Sequence, residues 1–194
     1  MQKNVLIPAL GLLAVFSAGG SARSASFTLC ESAYALCTTA PCTPTGKDGA
    51  LSCSCEVQSG YSAGQQSCQD LSKASDSTQL RSRYYPVKSY AVCTNDRPWA
   101  WCLDKPCTVD KTDPTKANCA CTTAKDQGPY VIVGDTNPAT CTTGIISSAT
   151  VTGIDEITDF LKGTSELKPY PIKVLHPPVP QQRSEIRSDE RRPE

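Results

Sequence analysis

The sequence contains a single histidine, His176, and no C-x-x-C motif, although it has 12 cysteines. Serine–histidine–aspartate and cysteine–histidine catalysis both need a histidine that the fold holds in place. His176 lies in a proline-rich C-terminal segment that is expected to be disordered, so it is a poor candidate for such a site. Many zinc sites and dithiol oxidoreductases carry C-x-x-C. The sequence therefore argues against catalytic residues, a metal site and a cofactor.

The chain also lacks a net charge and long apolar runs. Lys and Arg number 19, as do Asp and Glu, so no positive surplus favours nucleic acid or lipid headgroups as a partner. The apolar run at residues 5–16 is too short to cross about 30 Å of hydrocarbon, and small residues follow it. We predict a signal peptide at residues 1–26, cleaved after Ser26 or, alternatively, after Ala22 or Ala25. The mature chain would then have no membrane span and be secreted or periplasmic.

Cysteine is the residue that the sequence has in excess. All 12 cysteines lie between Cys30 and Cys141. In an exported chain this density predicts a disulfide framework, because export brings thiols into an oxidising compartment. The predicted disulfide cysteines are Cys30, Cys37, Cys42, Cys53, Cys55, Cys68, Cys93, Cys102, Cys107, Cys119, Cys121 and Cys141.

The cysteines follow an internal repeat. YALCTTAPC at residues 34–42 recurs as WAWCLDKPC at residues 99–107, SFTLC recurs as SYAVC, and SCSC recurs as NCAC. We predict two tandem homologous six-cysteine modules, residues 27–68 and 89–141, joined by a linker at residues 69–88. Each module can close three bridges, with 15 connectivities open. The alternative is one interlaced scaffold whose halves exchange bridges.

The predicted fold class is all-β, small and disulfide-rich. Short runs of β-branched and aromatic residues, bounded by Gly, Pro, Asp and Asn, indicate short antiparallel strands. Cys53 and Cys55 stand two residues apart, so a strand would place both on one face. A bond between them is sterically poor, and each is expected to reach a different partner.

The C-terminal part of the chain divides into two segments. Residues 142–163 are predicted to form a loop and one short amphipathic helix, with Thr152 and Asp155 as a capping box. The apolar face of this helix would comprise Ile154, Ile157, Phe160 and Leu161. Residues 164–194 hold six prolines and 11 charged residues, which predicts a disordered tail.

Two stretches are candidates for a ligand surface. Trp99 and Trp101 alternate in one strand pattern, and aromatic anchors of this kind are common in binding surfaces. The alternative interpretation is that both indoles cover disulfides as core. The second candidate stretch interleaves basic and aromatic side chains that suit an anionic or glycan ligand: Arg81, Arg83, Tyr84 and Tyr85. Its alternative is a linker strand that lays its basic stems over the modules.

These observations predict an exported, disulfide-stabilised binding or interaction protein without catalytic activity, with a protein or glycan partner. One alternative is a metal–thiolate protein that uses the C-x-C pairs. Another is a secreted enzyme or inhibitor that acts through a rigid loop at residues 109–117. The two copies differ most at Tyr34 and Leu36, which become Trp99 and Trp101, and at residues 38–40, which become Leu-Asp-Lys at 103–105.

Overall fold

The computed structural model describes residues 26–72, 78–84, 89–133, 141–167 and 173–176. Most of them form strands, and six disulfides link them, so the small all-β, disulfide-rich fold class is confirmed. The elements in chain order are β1 Thr28–Leu36, β2 Pro41–Pro44, β3 Ala50–Gly64, α1 Cys68–Ser72, β4 Gln79–Arg81, β5 Ser89–Cys93, β6 Trp99–Trp101, β7 Pro106–Val109, β8 Lys116–Ala124, β9 Tyr130–Val133, β10 Ile145–Thr150, α2 Val151–Gly163 and β11 Lys173–His176. The predicted signal peptide, apart from Ser26, lies outside the described residues.

Six antiparallel strands form the centre of the molecule, in the order β10-β2-β3-β8-β7-β4. Burial alternates along β3 and β8, so that Cys53, Cys55, Cys119 and Cys121 point into the core and Ser or Asn between them points outward. This alternation is the period-two pattern that each C-x-C pair predicts. Cysteines and alanines consequently make up most of the central core cluster.

All six disulfides close within one unit, and both units use the same nested order. The first cysteine of each unit bonds the sixth, the second bonds the fifth and the third bonds the fourth. No cysteine is free. The interlaced alternative, in which the halves exchange bridges, is therefore not the arrangement that the chain adopts.

The units pair about a local two-fold axis. Cys53 of β3 lies opposite Cys119 of β8, its equivalent 66 residues later. Leu51 lies opposite Cys121, and Cys55 lies opposite Ala117, so adding or subtracting 66 converts each of these pairs into the other. Such self-complementary pairing is the signature of an isologous contact. The axis consequently passes through the Cys53–Cys119 pair.

After its last cysteine each unit sends a strand across to the other unit. Leu80 of β4 pairs with Cys107 of unit 2, and Ile145 of β10 pairs with Cys42 of unit 1, both residues of the pair being shifted by 65. Each strand then turns back to its own unit, since Ser82 bridges Ala35. We call residues 79–84 and 145–150 the return segments. Residues 69–88, predicted as a linker, thus contain α1 and the first return segment, which the prediction missed because the two segments share little sequence.

The long hairpins of the two units differ. Unit 1 pairs β1 with the second half of β3 without interruption, from Thr28 opposite Gly64 to Leu36 opposite Glu56. In unit 2 the equivalent hairpin is split into β5 with β9 and β6 with β8, although both parts keep one common register. Residues 94–98 end with Pro98, which cannot donate a ladder hydrogen bond, and they separate the two parts.

Helix α2 forms at the predicted place but begins earlier. Thr150 is the N-cap, because its extended backbone lets its side chain accept a hydrogen bond from the Gly153 N–H. The predicted capping box of Thr152 and Asp155 is therefore wrong, since Thr152 already lies inside the helix. On the predicted apolar face Ile154, Ile157 and Leu161 are buried, whereas Phe160 is half-buried. Part of the predicted loop before the helix is strand β10.

Part of the predicted disordered tail also has regular structure. Strand β11, Lys173–His176, pairs in parallel with β5 at Ser89, Tyr90 and Ala91. Composition could not predict this pairing, because it depends on the unpaired backbone groups that β5 offers at its edge. Residues 168–172 and 177–194 lie outside the described part of the chain. Among the described residues no helix is long and apolar enough to span a membrane.

Candidate functional site

Most of the predicted ligand-surface residues lie inside the molecule. Trp99 is 2% exposed and stacks on Tyr130, with ring centroids 6.0 Å apart. The guanidinium of Arg83 is fully buried, and Arg81 is half-buried beside the turn at Asp104. Tyr85 lies outside the described residues. Of the set, Tyr84 and Trp101 contact a surface cavity, and the site is built around them.

The cavity has a volume of about 160 Å³ and opens to solvent on one side. Its walls are apolar and mainly aromatic, whereas its rim is polar. The wall residues are Phe27, Tyr84, Trp101, Leu103 and Ala149. The rim residues are Gln65, Thr150, Thr152, Gly153 and Glu156.

Both units and helix α2 contribute to this cavity. Tyr84 and Ala149 occupy equivalent positions in the two return segments, each bridging the long hairpin of its own unit. The cavity therefore lies where the two segments meet, and the first turns of α2 form one side of it. Trp101 comes from β6, and Leu103 comes from the turn that follows. The sequence analysis missed Phe27 and Glu156, for which no local motif exists.

A buried ion pair lies behind the cavity wall. Arg83 Nη1 donates to Asp104 Oδ1 at 3.2 Å, and the two side chains are 0% and 10% exposed. The remaining guanidinium hydrogens go mainly to unit 1: to the carbonyl oxygens of Thr28 at 2.6 Å and of Gln66 at 3.3 Å, and to Ser62 Oγ at 3.0 Å. Arg83 thus satisfies the requirement that a buried charge be paired and hydrogen-bonded.

Asp104 connects unit 2 to the loop after β3. Its Oδ2 accepts hydrogen bonds from the backbone N–H of Gln65 at 2.6 Å and of Gln66 at 3.3 Å. Asp104 has a positive φ of 56°, a left-handed conformation that Asp tolerates better than most residues. The equivalent residue in unit 1, Thr39, has a φ of 52°. One carboxylate therefore positions Gln65 and, through its neighbours in the chain, Leu103 and Tyr84.

Gly64 leaves the space that the ion pair needs. A Cβ atom at this position would collide with Asp104 Oδ1 and with the Arg83 guanidinium. Gly64 ends strand β3, and its backbone conformation needs no positive φ. The requirement for glycine here is therefore close approach of side chains and not an unusual backbone conformation.

The ionisable groups behind the cavity are shifted in the directions that burial dictates. Burial raises the pKa of the Tyr84 phenol, and the negative charge of Asp104 raises it further. Desolvation lowers the pKa of Arg83, while the neighbouring Asp104 carboxylate opposes that change. The Tyr84 hydroxyl donates to the Ser148 carbonyl oxygen at 3.4 Å. Tyr84 therefore presents a neutral ring to the cavity.

The core cysteines do not offer metal ligands while they are oxidised. Sulfur atoms of neighbouring bridges do approach one another, and Cys37, Cys102 and Cys121 Sγ lie within 4.8 Å. All three are bonded in disulfides, however, and each is at most 2% exposed. A metal–thiolate site here would need reduction of the bridges first, because the thiolate is the form that binds metal.

The loop at residues 109–117 is held by its own side chains. Asp110 Oδ1 accepts from the Thr112 N–H at 2.8 Å and from Thr112 Oγ1 at 2.6 Å. Asp113 Oδ1 accepts from Thr115 in the same way, at 3.0 and 2.5 Å. These hydrogen bonds lower the pKa of both aspartates. They leave Lys111 exposed at the tip.

Comparison with protein-family models, with curated proteins and with solved structures finds no match to this chain. The candidate site therefore rests on its own geometry.

Proposed function

We propose that the chain is an exported, disulfide-stabilised binding protein without catalytic activity, and that the cavity receives one compact group from a protein partner. Six disulfides fit an oxidising compartment. A crosslinked framework also holds the cavity walls in place before binding, which lowers the ordering cost of association.

We further propose that the two units are homologous copies of one module. The identical nested bridge order supports this, as does the shift of 65–66 residues that relates the strand pairs across the axis. The left-handed turn recurs at Thr39 and Asp104. Duplication of one module accounts for all three regularities.

The observation that carries the function is where the copies diverge. The wall residues Tyr84, Trp101 and Leu103 stand where the other copy has Ala149, Leu36 and Thr38. Behind the wall, Arg83 and Asp104 stand where the other copy has Ser148 and Thr39. These five differences meet at one cavity. Structural upkeep alone gives no reason for them to cluster there, whereas a binding site does.

The size of the cavity indicates what enters it. Cavities that hold whole drug-sized ligands measure roughly 300–1,000 Å³, whereas an apolar cavity of about 150 Å³ holds benzene. At about 160 Å³ this cavity fits one side chain. A protein anchor in such a pocket is typical of an interface hot spot. A sugar ring fits less well, because hydroxyls against Trp101 and Leu103 would lose their hydrogen bonds.

The proposal is tested with a displayed library of linear peptides, selected on the full oxidised protein. Enriched peptides should share an anchor residue, bind the wild type and the Leu36→Ala variant, and lose binding to Trp101→Ala. Leu36 is the matched control because it occupies the Trp101 position of the other unit. Retained binding to Trp101→Ala would contradict the proposal, and so would selection that yields no common anchor while a glycan array gives Trp101-dependent binding.

A second candidate function is inhibition of a protease through the loop at residues 109–117. The hydrogen bonds of Asp110 and Asp113 favour it, because they fix an exposed lysine at the loop tip. Trypsin-like proteases should then be inhibited by the wild type and not by Lys111→Ala. Equal inhibition by both proteins, or none by either, removes this candidate.

A further inference from the structure

We infer that the group entering the cavity is an alkylated ammonium, such as the trimethylammonium of choline or of trimethylated lysine. This inference rests on the proposed binding function and specifies the chemistry of its ligand.

The walls have the composition that favours an organic cation. Phe27, Tyr84 and Trp101 each present ring atoms to the same small space. The face of an aromatic ring attracts a cation by about 0.5–1 kcal/mol when exposed and about 2 kcal/mol or more when desolvated. Methyl groups on the nitrogen suit these apolar walls, whereas a primary ammonium would lose hydrogen bonds to water that the walls cannot replace.

The rings are fixed by contacts outside the cavity. Trp101 lies against Trp99, with ring centroids 5.9 Å apart, and Phe27 lies against Phe160 at 5.8 Å. The Tyr84 hydroxyl is engaged with the Ser148 carbonyl oxygen. The three rings therefore need little ordering when a ligand arrives.

The charge at the rim has the complementary sign. Glu156 is the only charged residue among the described residues that line the cavity. Its helix also carries Asp155, which lies near the Tyr90 hydroxyl, and Asp159, which lies 3.9 Å from Lys162. The buried Asp104 is balanced by Arg83. The mouth of the cavity thus has an excess of negative charge, which favours a cation over a neutral or anionic group of the same size.

The experiment compares choline with its neutral isostere, 3,3-dimethyl-1-butanol, by NMR titration of the full oxidised protein. The Trp101 indole N–H and the Gly153 amide are the reporters. Choline should shift both signals and bind at least about ten-fold more tightly than the isostere, from the ring attraction together with the carboxylate. Nε-trimethyllysine and phosphocholine, titrated separately, distinguish a peptide source from a lipid-headgroup source of the same cation.

Three variants assign the effect to residues. Trp101→Leu, which installs the residue of the other unit, should weaken choline binding about ten-fold by removing one ring. Glu156→Gln should weaken it about two- to five-fold, since the carboxylate is exposed to solvent. Asp159→Asn removes an equal charge from the same helix outside the cavity and should leave binding unchanged. Circular dichroism of each variant checks that it remains folded.

The outcomes separate this inference from the function that it rests on. Equal affinity for choline and its isostere would overturn the inference and leave an apolar binding cavity standing. Reporter shifts absent with choline but present with the selected peptides would do the same. If neither the peptides nor the cations act at Trp101, both the inference and the proposed function fail.

Discussion

The ion pair between Arg83 and Asp104 yields a sharp prediction, because its cost on removal can be worked from the structure. Asp104→Ala leaves the fully buried Arg83 guanidinium without its counter-charge, although three carbonyl groups still accept from it. It also leaves the Gln65 and Gln66 N–H groups without their acceptor. Removing one partner of a buried pair typically costs about 3–5 kcal/mol. We expect the free energy of unfolding to fall by that amount.

The matched control is Thr39→Ala at the equivalent turn of unit 1. Both variants place alanine at a positive φ, 56° and 52°, so both carry the same backbone cost of about 1–2 kcal/mol. Thr39 makes a single local side-chain hydrogen bond, to the Thr38 carbonyl oxygen at 2.7 Å. The difference between the variants therefore isolates the buried pair from the strain of the turn.

The assay is guanidinium unfolding without reductant, followed by the fluorescence of Trp99 and Trp101. A double-mutant cycle with Arg83→Ala completes it, and the double variant should cost less than the sum of the single variants by about 1–3 kcal/mol. Equal destabilisation by Asp104→Ala and Thr39→Ala would refute the reasoning. Additive effects of Asp104→Ala and Arg83→Ala would show that the two residues do not act as a pair.

Three further predictions follow from other parts of the molecule. The unreduced mature protein should have a mass 12 protons below that of the reduced chain and an N-terminus at Phe27; free thiols would contradict the framework, and a different N-terminus the predicted cleavage. Gly64→Ala should destabilise the fold by about 1–3 kcal/mol through collision with the ion pair, while Gly163→Ala, with open space around its Cβ, should not, as thermal unfolding of both would show. Tyr84 has a folded-state pKa above its unfolded value of about 10, so its contribution to stability is complete below pH 10 and is lost as the pH rises further; chemical unfolding between pH 9 and 12 should show a decline that Tyr84→Phe makes shallower, and an unchanged slope would exclude Tyr84 as a source.

The sequence predicted the parts of the fold that depend on local pattern. The two-residue spacing of Cys53 and Cys55 places both on the buried face because side chains alternate along a strand. The 3–4 residue spacing of Ile154, Ile157 and Leu161 predicts the buried face of the helix in the same way. Each of these predictions needs only the geometry of one element.

The bridge connectivity and the return segments depend on contacts between distant parts of the chain. Leu80 and Ile145 hold equivalent positions, yet their neighbours are Arg81 and Arg83 in one segment and Ile146 and Ser148 in the other. Backbone pairing fixes both segments, since Ser82 N donates to the Lys105 carbonyl and Ser147 N donates to the Ala40 carbonyl. Backbone hydrogen bonds leave little trace in side-chain identity, so a search for repeated residues stops at Cys68 and Cys141.

The same exchange explains why a cavity forms at the contact of the units. Every disulfide closes within its own unit, so no covalent bridge holds unit 1 against unit 2. The contact depends on the pairing of β3 with β8, on the return segments and on the Arg83–Asp104 pair. Two equal copies would meet about the axis with equal side chains. Tyr84 and Trp101 against Ala149 and Leu36 break that equality, and the first turns of α2 close one side. A duplicated scaffold thereby keeps its strand pairing while one shared surface is free to change, which is where a ligand site can arise without cost to the disulfide framework.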